Sequence, residues 1–344
     1  MPARTPRRAT SAAVVLTFAV TGTALLLTGC GPADATKAMP STASSAPTAP
    51  TDPSAPTNPT LATPTNPTLA TPSTARSTHT TPPAMNGTAN SKLTISNGTR
   101  DVLMNGTSVD FGTAVRDLTW SPDGSRAAFI DGDGDLATAK PDGSGRVVVA
   151  KHVAGQTWSH PAWEFTADGQ FIWFASSAGG VSTLENVPAD AVDGTPGTPH
   201  LVPGYQEPEL PQTANTWPSS HGLNGLAVHA NSQTGDIYER TDWNDGQGTV
   251  LTAGSEPMLC ANENEVAFVR SVGGHDHIFL LRLEGQAPAK DLTPNATVDY
   301  TEPAISPDGA TVAARTPDGI ATLPADGSAA PTLISTHPGL PTYR

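Results

Sequence analysis

The chain has 344 residues, room for one large domain or two small ones with extensions. It holds 34 Pro and 32 Gly, with only 15% charged and 5% aromatic residues. That mixture excludes a helix bundle or coiled coil and indicates a turn-rich β protein. The formal net charge of −14 excludes a nucleic-acid binder led by phosphate contacts. Two cysteines exclude a disulfide scaffold and a cysteine-rich zinc site.

Residues 1–29 carry a processing signal. Arg4, Arg7 and Arg8 form a basic n-region, and an apolar stretch runs from about Ala12 to Leu27. Roughly 16 residues fall short of the ~20 that span a bilayer. The stretch ends in Leu27-Thr28-Gly29-Cys30, which resembles the bacterial lipobox. The resemblance implies that Cys30 is lipidated, with palmitate-type acylation, as the first residue of the mature chain. The protein is then expected on the extracytoplasmic face of the cell membrane, bound to it through the N-terminal lipid only. Cys260 would remain as the one unmodified cysteine. It lies in the apolar run Met258–Ala261 and reads as a buried, inert thiol.

Residues 30–90 read as a tether. Pro, Thr, Ala and Ser make up 45 of residues 31–90, and none is aromatic. Such a segment buries too little apolar surface to offset its ordering entropy and is expected to be disordered. An octapeptide, Thr57–Pro64, is duplicated as Thr65–Pro72, a period too short for a solenoid.

The composition changes after Asn90. Leu93–Ser96, Thr99–Met104 and Thr107–Phe111 are separated by Asn97-Gly98 and Asn105-Gly106. Asn-Gly between alternating apolar runs is a strong hairpin signal, so a three-stranded meander is predicted. A longer unit then recurs. Trp120–Phe129, Phe165–Phe174 and Ile305–Ala314 share an Asp-Gly turn between two strands, and Leu259–Phe268 is a degraded copy. Spacings near 45 residues with four short strands each are the period of a β-propeller blade. Blades are predicted over 114–152, 157–204, 215–253, 254–295 and 298–336. The best copies, Ser121-Pro122-Asp123-Gly124 and Ser306-Pro307-Asp308-Gly309, resemble the TolB-type, WD-like propeller repeat. That resemblance implies an all-β domain over 91–344, a propeller of six four-stranded blades. The meander supplies three strands of the sixth blade and Gly339–Arg344 the fourth. Pro, Asp and Gly in the repeat are turn formers in their own right.

Few motifs carry chemistry. No Gly-x-Ser-x-Gly nucleophile elbow, P-loop or dinucleotide fingerprint is present, and no cofactor is expected. Asp131, Asp133 and Asp135 alternate like the start of a calcium loop, but Leu136 and Asp142 stand where such a loop has Gly and Glu, so a tight hairpin is preferred. His275-Asp276-His277 offers two imidazoles and reads as a surface turn before a strand at Ile278–Leu281. Aligning the copies places Asp117, His160, Trp217, Glu256 and Glu302 at equivalent positions, the last four directly before Pro. Equivalent positions of a propeller form a ring, and this one, at the channel mouth, would attract cations or basic peptide groups. The Pro188–His200 insert and the loop Gly204–Pro218 are expected to extend that face.

Two functional classes follow. The first is a non-enzymatic module binding an envelope protein or peptide; the TolB resemblance implies an envelope or translocation role. The alternative is a propeller hydrolase or lyase acting on glycans or lactones through the channel carboxylates and His160.

Overall fold

The computed structural model describes residues 84–344 apart from 167–168, 199–201, 204–209, 222–224, 242–246 and 286. The signal peptide, Cys30 and tether residues 30–83 lie outside the described residues. No helix occurs among those described; 24 strands form six sheets.

The expected meander is present as β1 (Leu93–Ser96), β2 (Asp101–Met104) and β3 (Thr107–Asp110). The second blade contains β4 (Arg116–Trp120), β5 (Ala127–Ile130), β6 (Leu136–Ala139) and β7 (Val147–Ala150). The third contains β8 (Gln156–Thr166), β9 (Gly169–Ala178) and β10 (Val181–Pro188). The short β11 (Val202–Pro203) does not complete it, contrary to the blade predicted over 157–204. It pairs parallel with the outer strand of the fourth blade, which comprises β12 (Asn215–Ser220), β13 (Leu226–Asn231), β14 (Asp236–Thr241) and β15 (Gln247–Ala253). The third blade's outer edge is met instead by a single antiparallel bridge, Asn186 to Gly197. The fifth blade is β16 (Ser255–Leu259), β17 (Glu265–Val272), β18 (His275–Arg282) and β19 (Lys290–Asp291). The sixth is β20 (Thr301–Ile305), β21 (Thr311–Thr316), β22 (Gly319–Pro324) and β23 (Thr332–Ser335).

The ring closes as the sequence suggests. The last strand, β24 (Leu340–Tyr343), pairs antiparallel with β1, Leu93 opposite Tyr343 through Ser96 opposite Leu340, and is innermost in the first blade. Closure removes the exposed edges that an open sheet would leave.

Six apolar clusters fill the six spaces between neighbouring blades. In β5, Ala127 and Phe129 face the first blade while Ala128 and Ile130 face the third. Because both faces of a blade are covered, its middle strands read as continuous apolar runs and not as alternation. The space between the third and fourth blades is the exception. Beside Trp173, Leu184 and Tyr238 it holds a buried ion pair, Arg240 Nη1 to Glu164 Oε1 at 2.9 Å, with the guanidinium 4.3 Å above the Trp173 ring.

The ordered domain starts before residue 91. Asn86 bridges to Ser335, the Thr336 N–H donates to Met85 O at 3.1 Å, and buried Thr88 accepts the Gly106 N–H at 2.9 Å. Gly87 allows this approach, since a Cβ there would lie 2.3 Å from the Ile334 carbonyl oxygen. Residues 84–90 of the expected tether therefore belong to the propeller. Their Pro- and Thr-rich neighbours hide the Asn86-Gly87 turn in the sequence.

The repeat turns behave as local chemistry dictates. Ser121 Oγ donates to Asp123 and accepts the Arg126 N–H; Ser306 does the same with Asp308 and Thr311. In the degraded copy Cys260 Sγ donates to Asn262 Oδ1 and accepts the Glu265 N–H. Glu263 there takes the left-handed position, φ +56°, that Gly124 and Gly309 hold in the other copies. Cys260 is thus a buried stand-in for serine, with burial pushing its thiol pKa up.

Candidate functional site

The five aligned residues occupy one structural position. In the second to sixth blades the innermost strand is bulged against its neighbour, between Arg116 and Thr119, Ser159 and Ala162, Thr216 and Ser219, Ser255 and Met258, and Thr301 and Ala304. The first residue in each bulge has left-handed backbone: Asp117 at φ +55°, His160 at +50°, Trp217 at +51°, Glu256 at +52° and Glu302 at +51°. A non-glycine residue there costs about 1–2 kcal/mol. A bulge bends the strand and re-aims the side chain.

Contacts join the five into two groups at the mouth, Asp117 with His160 and Trp217, and Glu256 with Glu302. Asp117 Oδ2 accepts the His160 N–H at 3.2 Å, and Glu256 Oε2 accepts the Glu302 N–H at 2.6 Å. In both cases a ring carboxylate holds the backbone of the next blade. The His160 imidazole lies on the Trp217 indole with ring centroids 3.5 Å apart. Arg315 Nη1 donates to Glu302 Oε1 at 2.7 Å. Burial pushes Glu256 up to about 7, with Glu302 and Asp276 adding to the shift and the Glu302 N–H and Arg315 opposing it. Burial also raises Glu302, reinforced by Asp117 and opposed by Arg315. Burial lowers His160 against the pull of Asp117, so its imidazole is neutral at pH 7.

Below the ring, Leu118, Pro161, Pro218, Pro257, Pro303 and Pro341 form a collar around a cavity of about 60 Å³. That holds a few waters, so a larger ligand would engage the mouth and not the channel. Two residues were not singled out from the sequence. Arg315 reaches Glu302 only because β21 pairs with β20. His221 also lines the cavity, bonded to the Leu259 backbone, and burial lowers it to about 4. No short-range pattern marks either.

Elsewhere one expected turn is found and others differ. The Asp131 carboxylate accepts the N–H groups of Asp133 and Asp135 and pairs with Arg146 at 2.5 Å, while Asp135 accepts from the His152 backbone. These bonds define a hairpin and occupy both Asp131 oxygens and one of Asp135. No metal-binding group of three or more His, Cys, Asp or Glu occurs among the described residues. His275 and His277 lie within β18, which starts three residues before the expected Ile278, and bond to Asp299 and Asp291 at 3.2 and 2.9 Å. The insert after Pro188 runs along the outer strands, bridging Ala150 and Asn186 through Gly194 and Gly197. It extends the rim and not the mouth, because its backbone groups pair with strand edges. In the loop Gly204–Pro218, Tyr205 lies outside the described residues, and Leu210 is buried between the third and fourth blades.

The fold and closure define the chain as a six-bladed β-propeller. It is similar to TolB from Acinetobacter baumannii, with TM-score 0.54 and 15% identity over 73% of this chain. The chain spans 65% of that protein's length, just under two thirds. A putative TolB from Agrobacterium tumefaciens gives TM-score 0.48 and 19% identity over 71% of this chain and 87% of the other. A chain of a nidogen/laminin complex gives 0.52 and 13% over 73% and 97%. Identities this low establish the fold alone. No protein-family model matches the chain, and no curated protein matches it.

Proposed function

We propose that this protein is a non-enzymatic binding module. It docks a polypeptide or other cell-envelope component on the mouth of its propeller, while a lipid on Cys30 holds it to the extracytoplasmic face of the membrane. The observation that carries the docking reading is the ring itself. Five successive blades each place a non-glycine residue in left-handed backbone at the mouth, where glycine would close the same bulge without strain. The residues so placed are Asp, His, Trp, Glu and Glu, a set rich in recognition chemistry. The nidogen/laminin complex, a protein–protein assembly containing a propeller-like chain, is in line with a polypeptide ligand.

The hydrolase or lyase alternative has less support. Asp117 and Glu256 each commit an oxygen to a neighbouring blade, and the cavity beneath is too small for a sugar ring. Docking is tested by placing a photo-crosslinking residue at Trp217 and, on the opposite face, at Asp308. Adducts from position 217 but not 308 are expected in cells. Equal adducts from both positions, or none from 217, would refute it. Cys30→Ser should release the protein or leave it unprocessed; an unchanged membrane fraction with no lipid mass refutes the anchor.

A further inference from the structure

The sixth blade is tied to the fifth at two points near the mouth. The Tyr300 N–H donates to Asp276 O at 2.8 Å just ahead of β20, and the Glu302 N–H donates to Glu256 Oε2 at 2.6 Å within its bulge. The first tie joins backbone to backbone and does not titrate. The second ends on a carboxylate. Its counterpart two blades round is Asp117 on the His160 N–H, where the residue held carries an imidazole. In the Glu256 tie the residue held is itself a glutamate, so two carboxylates of the ring meet at one bond.

The groups facing Glu256 are mostly acidic. β20 brings Glu302 and β18 brings Asp276, which repel its charge, while β21 brings Arg315, which attracts it but already donates to Glu302 Oε1. His275, next to Asp276, is turned to Asp299. On β17, Arg270 is held by Thr252 Oγ1 and Ala253 O. β12, on the other side, carries no charged residue. Burial with three carboxylates around one guanidinium favours a bound proton, and the Glu256 carboxyl sits at about 7. The Glu302 N–H opposes that shift more than either neighbouring carboxylate reinforces it. A bond to an ionised acceptor is roughly twice as strong as one to a neutral acceptor, so ionised Glu256 grips β20 harder than the protonated form.

We propose that Glu256 is a proton-operated latch on the mouth. Ionised, it fixes the left-handed bulge of β20 against its strain and the ring is set for docking; protonated, it slackens the bulge and docking weakens. The gating rests on the docking reading, whereas the latch does not. The full chain, labelled with nitrogen-15, is titrated from about pH 8 to about pH 5.5, and the Glu302 amide is followed against that of Tyr300. The Glu302 amide should shift with a midpoint near 7 while that of Tyr300 stays, and Glu256→Gln should hold both still. Crosslinking from position 217, in cell-envelope preparations, should fall about fivefold between about pH 8 and about pH 6, the low end of coupling between linked equilibria. Glu256→Gln should make the yield independent of pH. A Glu302 amide that does not titrate in the parent, or that titrates alike in Glu256→Gln, overturns the latch. An amide that titrates while crosslinking in the parent stays level overturns the gating. No crosslinking at either pH removes docking, and the amide titration then still decides the latch.

Discussion

Removing Gly339–Arg344 tests the closure most directly. The deletion takes away β24, four residues paired with β1, and so exposes a strand edge in the first blade. It also removes the bond from Thr94 Oγ1 to Thr342 O and that from Arg344 Nε to Gly124 O. Ladder and side-chain hydrogen bonds contribute about 1 kcal/mol each, which gives about 5 kcal/mol here. Tyr343, packed beside the Leu93 and Ile95 cluster, adds about 2 kcal/mol of burial. The guanidinium of Arg344, 5.5 Å above the Trp120 ring, adds about 0.5 kcal/mol. A loss of about 7.5 kcal/mol lies within the range of the whole stability of a typical domain, about 5–15 kcal/mol. Urea unfolding followed by tryptophan fluorescence reads it, with exposed Val192→Ala as a control expected within about 0.5 kcal/mol. Should the truncated chain not fold, Tyr343→Ala provides a graded version, expected to cost about 2–3 kcal/mol. If the truncation and the control match the parent, β24 is not the clasp.

Four further outcomes are expected. Glu256 titrates near 7 in the folded protein against an ordinary 4.5, so the folded state holds the extra proton in between. The Glu256 contribution to stability should be greatest below pH 4.5 and fall by up to roughly 3 kcal/mol towards pH 7, and Glu256→Gln should shift the pH profile by that amount; a profile unchanged in that variant contradicts the assignment. His229, fully buried and beside Arg240, is lowered to about 3. Its contribution runs the other way, present above pH 6.5 and lost at about 1.4 kcal/mol per unit as pH falls, and His229→Phe should flatten the acid limb of the denaturation profile. Arg240→Met should cost about 3–5 kcal/mol by breaking the buried ion pair with Glu164, and adding Glu164→Gln should recover part of it; additive losses in that cycle would show no coupling. Cys260→Ser should melt within about 1 kcal/mol of the parent, and Cys260→Ala below both by the two turn bonds it forfeits; the reverse order would refute the serine stand-in.

The turn between the first two strands of a blade was legible because Ser-Pro-Asp-Gly is a turn by local chemistry, and the closure was legible through the Asn-Gly meander that lacked a fourth strand. The ring was legible too, through Pro161, Pro218, Pro257 and Pro303, which mark one register of the innermost strands. Its left-handed backbone was not, since a bulge is a relation between two strands and only one is read at a time. For the same reason Arg315 escaped notice. The apolar run around Cys260 correctly indicated burial, but its role as a turn acceptor depends on the Glu265 N–H arriving from β17. The shift of β11 into the fourth blade follows from parallel pairing across some 45 residues, which no short pattern encodes.

The pairing of β1 with β24 joins positions separated by about 250 residues, and this bears on folding order. Blades form from contacts within some 45 residues of one another, whereas the clasp has to close a loop spanning nearly the whole domain. Contacts this distant are slow to form, because the entropy of bringing them together is lost before any packing is gained. The first blade is therefore the last to be completed, and until then β1 presents a free edge able to recruit another molecule's β24. A circular permutant joined through residues 344 and 85 and opened between β7 and β8 would make the clasp a local hairpin. It should fold faster than the parent, and exchange strands between molecules less readily, with the same six blades in the product.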